Sequence, residues 1–299
     1  MVGSIASSPA LDLSALPAPD IIAQPTFEAR LAGKLAQLLL LAPEFTALVE
    51  SDPAMKLLQA DTYDELVLAQ TMNDAARGLL LAFAAGAQLD HLAALFGVTR
   101  LTVTPADPET GAPAVLETDT ALRQRVQLAP HSFSVAGPEL AYVFHARSAD
   151  GDVADATAVS PSPGEVVVTV LSASGTGVPG EPVLDAVRAV LDGPVRPLTD
   201  HVTVQAAAPV NFTVEAQLTV FAGPDQTLIL NTAQESLAAY LASARRLGRD
   251  IPHSALIAAL HVGNVQRVEL LAPAADITVT PAQFASPAAT TVTIAGTEL

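Results

Sequence analysis

One stretch, "PVNFTVEAQLTVF" from Pro209 to Phe221, constrains the fold more than any other. Val210, Phe212, Val214, Ala216, Leu218 and Val220 alternate with Asn211, Thr213, Glu215, Gln217 and Thr219. A period of two means a strand that buries one face and wets the other. Such a strand needs partners, and the sequence offers several. "DVADATAVS" and "GEVVVTVLS" read as two strands joined by the turn "PSPG". "DHVTVQA" and "NVQRVELLA" read as single strands, and the tail "DITVTPAQFASPAATTVTIAGTEL" holds two more short ones.

The first third of the chain has the helical period instead. In "DTYDELVLAQTMNDAARGLLLAF", Leu66, Ala69, Met72, Ala76, Leu79 and Phe83 recur at three- and four-residue steps. The pattern predicts a helix from about 61 to 84, with Asp61 and Thr62 as caps, Glu65 completing a capping box and Gly86 ending it. Pro43 and Pro53 break the helical material before it, and "QLDHLAALFGV" gives a short helix after it. Leu68, Ala75, Leu80 and Ala82 lie off the main apolar face, so this helix has more than one side to bury. Further helices are expected at 119–128, 136–147, 181–192 and 225–247, the last ended by Gly248. One more starts near Pro252.

The expected fold class is therefore α+β and multidomain: an N-terminal helical region, then mixed α/β sandwich-like modules, then a short β-rich C-terminal tail. The expected divisions are an extended arm over 1–25, a helical region over 26–100, a linker loop over 101–118, an α+β middle domain over 119–222 and a C-terminal α+β region over 223–299. Val268, Leu270, Ile277, Val279, Val292 and Ile294 sit on one face of short strands near the chain end. Such strands seek an edge, and a second copy supplies one by symmetry, so these residues are assigned to self-association.

Composition narrows the chemistry. Half of the 299 residues are hydrophobic but only 4% are aromatic, so the core is built from Ala, Leu and Val. A net charge of −17 repels phosphate backbones and argues against nucleic-acid binding. The absence of Cys excludes disulfides, thiolate metal sites and cysteine nucleophiles. The first twenty residues lack the basic start and apolar core of a signal peptide, and the longest apolar runs are too short to cross a bilayer. A soluble protein away from membranes is expected.

Gly175, Gly177 and Gly180 spell G-x-G-x-x-G between a strand and a helix, the order of a dinucleotide-binding loop. Three details oppose that reading, the first being that the preceding strand pairs most naturally with "DVADATAVS" in an antiparallel hairpin and not in a doubly wound sheet. Pro179 interrupts the loop, and Asp200, at the spacing of a ribose-binding acid, precedes its strand and so occupies the wrong edge. The six histidines (His91, His131, His145, His201, His253 and His261) show no metal-binding spacing. No catalytic residue, cofactor site or metal site is assigned. Arg245, Arg246 and Arg249 fall at a helix end, where positive charge offsets the helix dipole.

Four stretches together resemble one family: "ESDPAMKLLQADTYDELVLAQTMNDAARGLLLAFAAGAQLDHLAALFGVTR", "LRQRVQLAPHSFSVAGPELAYVFHARSADGDVADATAVSPSPGEVVVTVLS", "VRPLTDHVTV" and "LGRDIPHSALIAALHVGNVQRVELLAP". From about residue 25 to 272 the chain resembles the baseplate assembly protein J family of contractile-tailed phages. The resemblance implies a non-enzymatic structural protein of the baseplate wedge, located in the virion tail and assembled in the host cytoplasm. It implies pairing between copies, linkage of wedges into a six-fold ring around the hub and spike, and support of tail assembly and sheath contraction. Relatives serve in tailocins and contractile injection systems. It also implies that the helical region bundles with a wedge partner of the tail protein I type. Leu66, Leu68, Met72, Leu79, Leu80 and Phe83 are the residues expected to make that contact. The alternatives are a Rossmann-type enzyme using the Gly175–Gly180 loop and an extracellular adhesin module.

Overall fold

The computed structural model describes residues 13, 16–45, 48–134, 136–223 and 225–298. Most of the expected N-terminal arm, residues 1–12, 14 and 15, lies outside the described residues. Those up to Thr99 form one compact unit and those from Arg100 form another. The fold class is α+β, as expected.

The first unit holds α1 (Phe27–Leu41), α2 (Pro53–Arg77) and α3 (Gly86–Ala94). Here the reading of the helix at 61–84 is corrected at both ends. Pro53 starts α2 rather than breaking a helix, with Asp52 as the cap whose carboxylate accepts from Ala54 N. A proline suits the first helical turn, because its missing N–H would have no partner there. Asp61 and Thr62 are therefore interior. The Asp61 carboxylate pairs with Lys34 of α1 at 2.5 Å, and the Thr62 hydroxyl donates to Leu58 O. Glu65 pairs with Arg30 and Lys34, whose hydrogen bonds hold its carboxyl below the usual range. The helix stops at Gly78, and Leu79–Phe83 run through successive turns. Gly86, at φ +52°, opens α3 instead of ending α2. The buried Asn73 ties down the bend before α1, its Oδ1 accepting from Ile21 N and Ile22 N.

The second unit starts with a two-stranded hairpin, β1 (Thr102–Thr104) and β2 (Val115–Leu116), within the stretch read as a linker loop. Next come α4 (Asp119–Leu128), α5 (Glu139–Ala149), β3 (Val153–Val159), β4 (Glu165–Ser172), α6 (Glu181–Leu191) and β5 (His201–Ala206). β3 and β4 form the expected antiparallel hairpin. β5 adds parallel to β4, with α6 as the crossover. Val168 and Val170 of this sheet pack on Tyr142 and Ala146 of α5 and Val187 and Leu191 of α6.

β6 (Ala208–Phe221) then begins the second sheet, followed by α7 (Gln226–Ala244), α8 (His253–Leu260), β7 (Val265–Ala272) and β8 (Gln283–Glu298). β6 is central, with β7 antiparallel on one side and β8 parallel on the other. The core face is as expected, with Phe212, Val214, Ala216, Leu218 and Val220 buried against Ile229, Ala233 and Leu237 of α7 and Leu256 and Leu260 of α8, but Thr219 of the opposite face is buried as well. α7 ends before Gly248, because Leu247 leaves it to bridge Phe284 and to donate its N–H to Asp155.

The tail is corrected too. The segment read as two short strands contains one 16-residue strand, β8, while Ile277 makes only an isolated bridge to Ile251. Pro287 lies inside β8, next to a bulge at Phe212/Thr213. A proline is tolerated there because β8 is an edge strand, where a missing N–H breaks no second ladder.

The hairpin β1–β2 is anchored by a buried ion pair. Arg125 donates from Nε to Glu117 Oε1 at 2.8 Å and from a terminal nitrogen to Oε2 at 2.6 Å, and Leu101 N also reaches that carboxylate. Removing one member leaves the other charge buried and alone. Glu117→Ala should destabilise the chain by about 3–5 kcal/mol in urea unfolding, whereas Glu117→Leu combined with Arg125→Met should lose much less.

Candidate assembly surfaces and the glycine loop

The glycine loop runs from the end of β4 to the start of α6. Gly175 and Gly177 adopt φ +54° and +94°, and Gly180 is the cap residue of α6. The surrounding β4–α6–β5 unit is parallel, as a nucleotide site needs. The loop itself is filled from within. Ser172 N donates to Gly177 O, and Gly177 N to Ser174 O. The Asp152 carboxylate accepts from Ser174 N at 2.9 Å and from the Ser172 and Ser174 hydroxyls. A phosphate brought to this loop would meet a carboxylate already on its donors, a like-charge contact at close range. Asp200 lies at the opposite end of the sheet, as the sequence indicated. It accepts from the Tyr142 hydroxyl at 2.6 Å. Burial, and then this carboxylate, push the phenol well above its usual range, so Tyr142 is a fixed donor.

Tyr142 and His145 line a cavity of about 540 Å³ together with Ser132, Arg196 and Leu198. Arg196 donates to the backbone oxygen of Asp200. The Ser132 hydroxyl donates to Ala129 O, and Arg196 Nε is buried with no hydrogen-bond partner. Burial pushes the His145 imidazole below its usual value of 6.5. Among the described residues, no group of three His, Cys, Asp or Glu is placed to hold a metal ion. No described helix is long and apolar enough to cross a membrane.

The residues expected to meet partners divide sharply. On α2, Leu68 and Met72 are exposed by 55% and 48% and lie one turn apart, so they form a stripe with Val67 and Tyr63 beside it. Leu66 is half-buried on another side of α2. Leu79 and Leu80 are exposed and Phe83 is half-buried, but all three lie beyond the end of α2, so the single Leu66–Met72–Leu79 face does not exist. α1 adds exposed Leu39, Leu40 and Leu41 and has no buried residue.

The C-terminal set is corrected. Val292 is buried, and Val268, Leu270, Ile277, Val279 and Ile294 pack against the same core. The register explains why. Val268 and Ile294 both pair with Leu218, and Leu270 and Val292 both pair with Ala216, so each row crosses the sheet on the face covered by α7 and α8. The chain's own sheet takes up the side chains that had been assigned to a second copy.

Two residues organise this region: Phe284, which the sequence does not single out, and Arg245, which it marks only as a helix-end charge. Phe284, fully buried, sits beneath the glycine loop, and Arg245 lies over its ring at 5.9 Å while donating to Gly175 O. Arg249 donates to Ser243 O at the end of α7, in keeping with the dipole reading. Their sequence context is ordinary, because their partners come from distant segments.

The two loop glycines differ in a way that can be measured. A Cβ on Gly175 meets nothing within 4 Å, whereas one on Gly177 would lie 2.6 Å from the Arg245 guanidinium and 2.9 Å from the Phe284 ring. Gly175→Ala should cost about 1 kcal/mol, from its positive φ alone. Gly177→Ala should cost clearly more in the same denaturant titration, because a buried ring must move. The His145 shift also has a defined sign. The folded chain resists protonation that the unfolded chain accepts, so stability is whole above about pH 6.5 and is lost as pH falls through and below it. His145→Gln should flatten that part of a melting-temperature profile against pH.

Comparison with known proteins agrees with this architecture. The Baseplate J-like N-terminal domain matches residues 50–107, the Baseplate J-like central domain matches 134–206, and the Baseplate J-like protein C-terminal domain matches 210–295. Baseplate protein J of Escherichia phage P2 is 47% identical over 285 residues, covering 92% of this chain and 94% of that protein. The central match ends at the last residue of β5 and the C-terminal match starts within β6, so the two sheets coincide with two family domains. With three consecutive domains of one family along its length, and nearly half its residues shared with a full-length member, the chain belongs to the baseplate protein J family.

Proposed function

We propose that this chain is a structural component of a phage tail baseplate, built into the wedge and joining wedges into a ring around the hub. The observation that carries the reading is the full-length identity with baseplate protein J, which spans both sheets and the helical unit. The same reading places it in the virion tail after assembly in the host cytoplasm, and extends to related contractile injection systems. It makes the role one of holding other baseplate proteins in place through tail assembly and sheath contraction, with no cofactor.

The fold supports a division of labour. The second unit has two sheets whose apolar faces are covered by the chain's own helices. The first unit leaves apolar helix surface uncovered on both α1 and α2. Exposed apolar patches of this kind mark protein interaction sites. The helical unit is therefore the contact for a wedge partner of the tail protein I type. The pairing of copies falls to surface other than the core face of β7 and β8.

The test uses the exposed α2 stripe. Leu68→Glu with Met72→Glu should abolish co-purification with the co-expressed wedge partner, at an unchanged melting temperature, because both side chains are solvent-facing. Wedges that still form with the double variant would remove the stripe from the interface. Failure of the wild-type chain to associate with any protein encoded beside it would overturn the baseplate reading itself.

A further inference from the structure

Between the β1–β2 hairpin, α4 and the start of β3 lies a second cavity, of about 360 Å³. Its walls are mainly apolar, with Val103, Leu116, Ala121 and Val153 among them. Gly151 closes one side: a Cβ there would lie 2.6 Å from Thr102 O, so the hairpin backbone rests directly on it. Into this apolar space the chain sends Arg147 of α5, which is only 8% exposed.

Arg147 is poorly compensated. Its hydrogen bond runs from a terminal nitrogen to the neutral amide of Gln124 at 2.9 Å, and its Nε has no partner. The nearby Glu117 carboxylate is engaged by both arms of Arg125. Asp155 attracts Arg147 from a distance, but its carboxylate accepts from Ala156 N and Leu247 N. Arg125 and Arg246 act against it. Arg125 and Glu117 also line the cavity but are paired with each other, so Arg147 is the buried guanidinium there whose one hydrogen bond goes to a neutral group. A buried charge in this state is costly unless an anion joins it.

We infer that this cavity is a binding site for a monocarboxylate carried on a short apolar stem, with Arg147 taking the carboxylate and the apolar walls taking the stem. The planar fork of a guanidinium matches a carboxylate, and a single negative charge matches the single charge of Arg147. Apolar walls with one placed polar group are the usual make-up of a small-ligand site. The burial of Arg147 strengthens the preference, since its guanidinium is destabilised by desolvation before any other influence. This inference is independent of the baseplate reading. The carboxylate can come from a free acid or from an acidic side chain or chain end of a neighbouring protein.

The test is titration of the full chain with hexanoate, using hexanol as the uncharged probe with the same stem. Hexanoate should raise the melting temperature dose-dependently and hexanol should do so much less. Arg147→Met should weaken hexanoate binding at least ten-fold. Ala121→Leu, which fills the cavity and leaves Arg147 in place, should weaken it as well, and it serves as the test if Arg147→Met does not fold. Mass spectrometry of the denatured, freshly purified chain separates the sources. A stoichiometric released acid marks a free ligand, and hexanoate binding without one marks a partner's carboxylate. No hexanoate binding to the wild type, equal binding of hexanol, or undiminished binding to the folded variants would overturn the site.

Discussion

The second unit depends on a passage one residue long. β5 ends at Ala206 and β6 begins at Ala208, so Ala207 alone carries the chain from one sheet into the other. Ala207 N donates to Val170 O in the first sheet, and Ala208 N donates to Ala282 O, next to β8, in the second. Consecutive amides are thus committed to different sheets, and a turn of one sheet against the other breaks one of these hydrogen bonds. Leu171, Ala207, Leu247 and Phe284 pack around the passage, and the Thr157 hydroxyl donates across it to Pro281 O. Close packing of this kind resists small displacements. For a protein proposed to hold neighbours at set positions while a tail assembles, a stiff joint between two sheets is a functional property.

The joint also explains the two features that look most like chemistry. The glycine loop approaches Phe284 and Arg245 closely, and Gly177 is there because a side chain would strike both. The Asp152 carboxylate organises the loop's donors from within. Of the three glycines that resemble a phosphate cradle, Gly177 thus serves a close approach between sheets. β8 completes the arrangement. It supplies Phe284 to the joint at one end and the Val292 and Ile294 rows to the core at the other. The apolar side chains of β8 at these positions are packed within the chain itself. Exposed apolar side chains lie on the helices of the first unit, and in the second at scattered positions such as Phe133, Leu198, Leu228 and Leu271.

Much of this was legible in sequence wherever the signal was local. The alternation from Val210 to Val220, the β3–β4 hairpin and the helix at 119–128 follow from periodicity and turn chemistry, and each stands where it was read. Prolines misled the reading at both ends. Pro53 suggests a helix breaker and is a helix start, and Pro287 lies inside a long edge strand of which the sequence pattern shows only the later part. In each case the outcome turns on a neighbour, the Asp52 cap or the edge position of β8, that a proline rule does not consult. The partners of Asp152, Phe284 and Arg147 were not legible, because they come from segments about twenty to more than a hundred residues away. The stripe at Leu68 and Met72 was half legible: its apolar character shows in the sequence, but its exposure depends on where α2 ends.

The central claim is that the two sheets of the second unit form one mechanical body through Ala207. Native-state hydrogen exchange along a denaturant series tests it directly. Amides of Val168 and Val170 in one sheet, Leu218 and Val220 in the other, and Ala207 and Ala208 between them should exchange through a single opening with one free energy and one denaturant dependence. Two separate openings, with one sheet exchanging while the other stays protected and Ala207 following the weaker, would contradict the account.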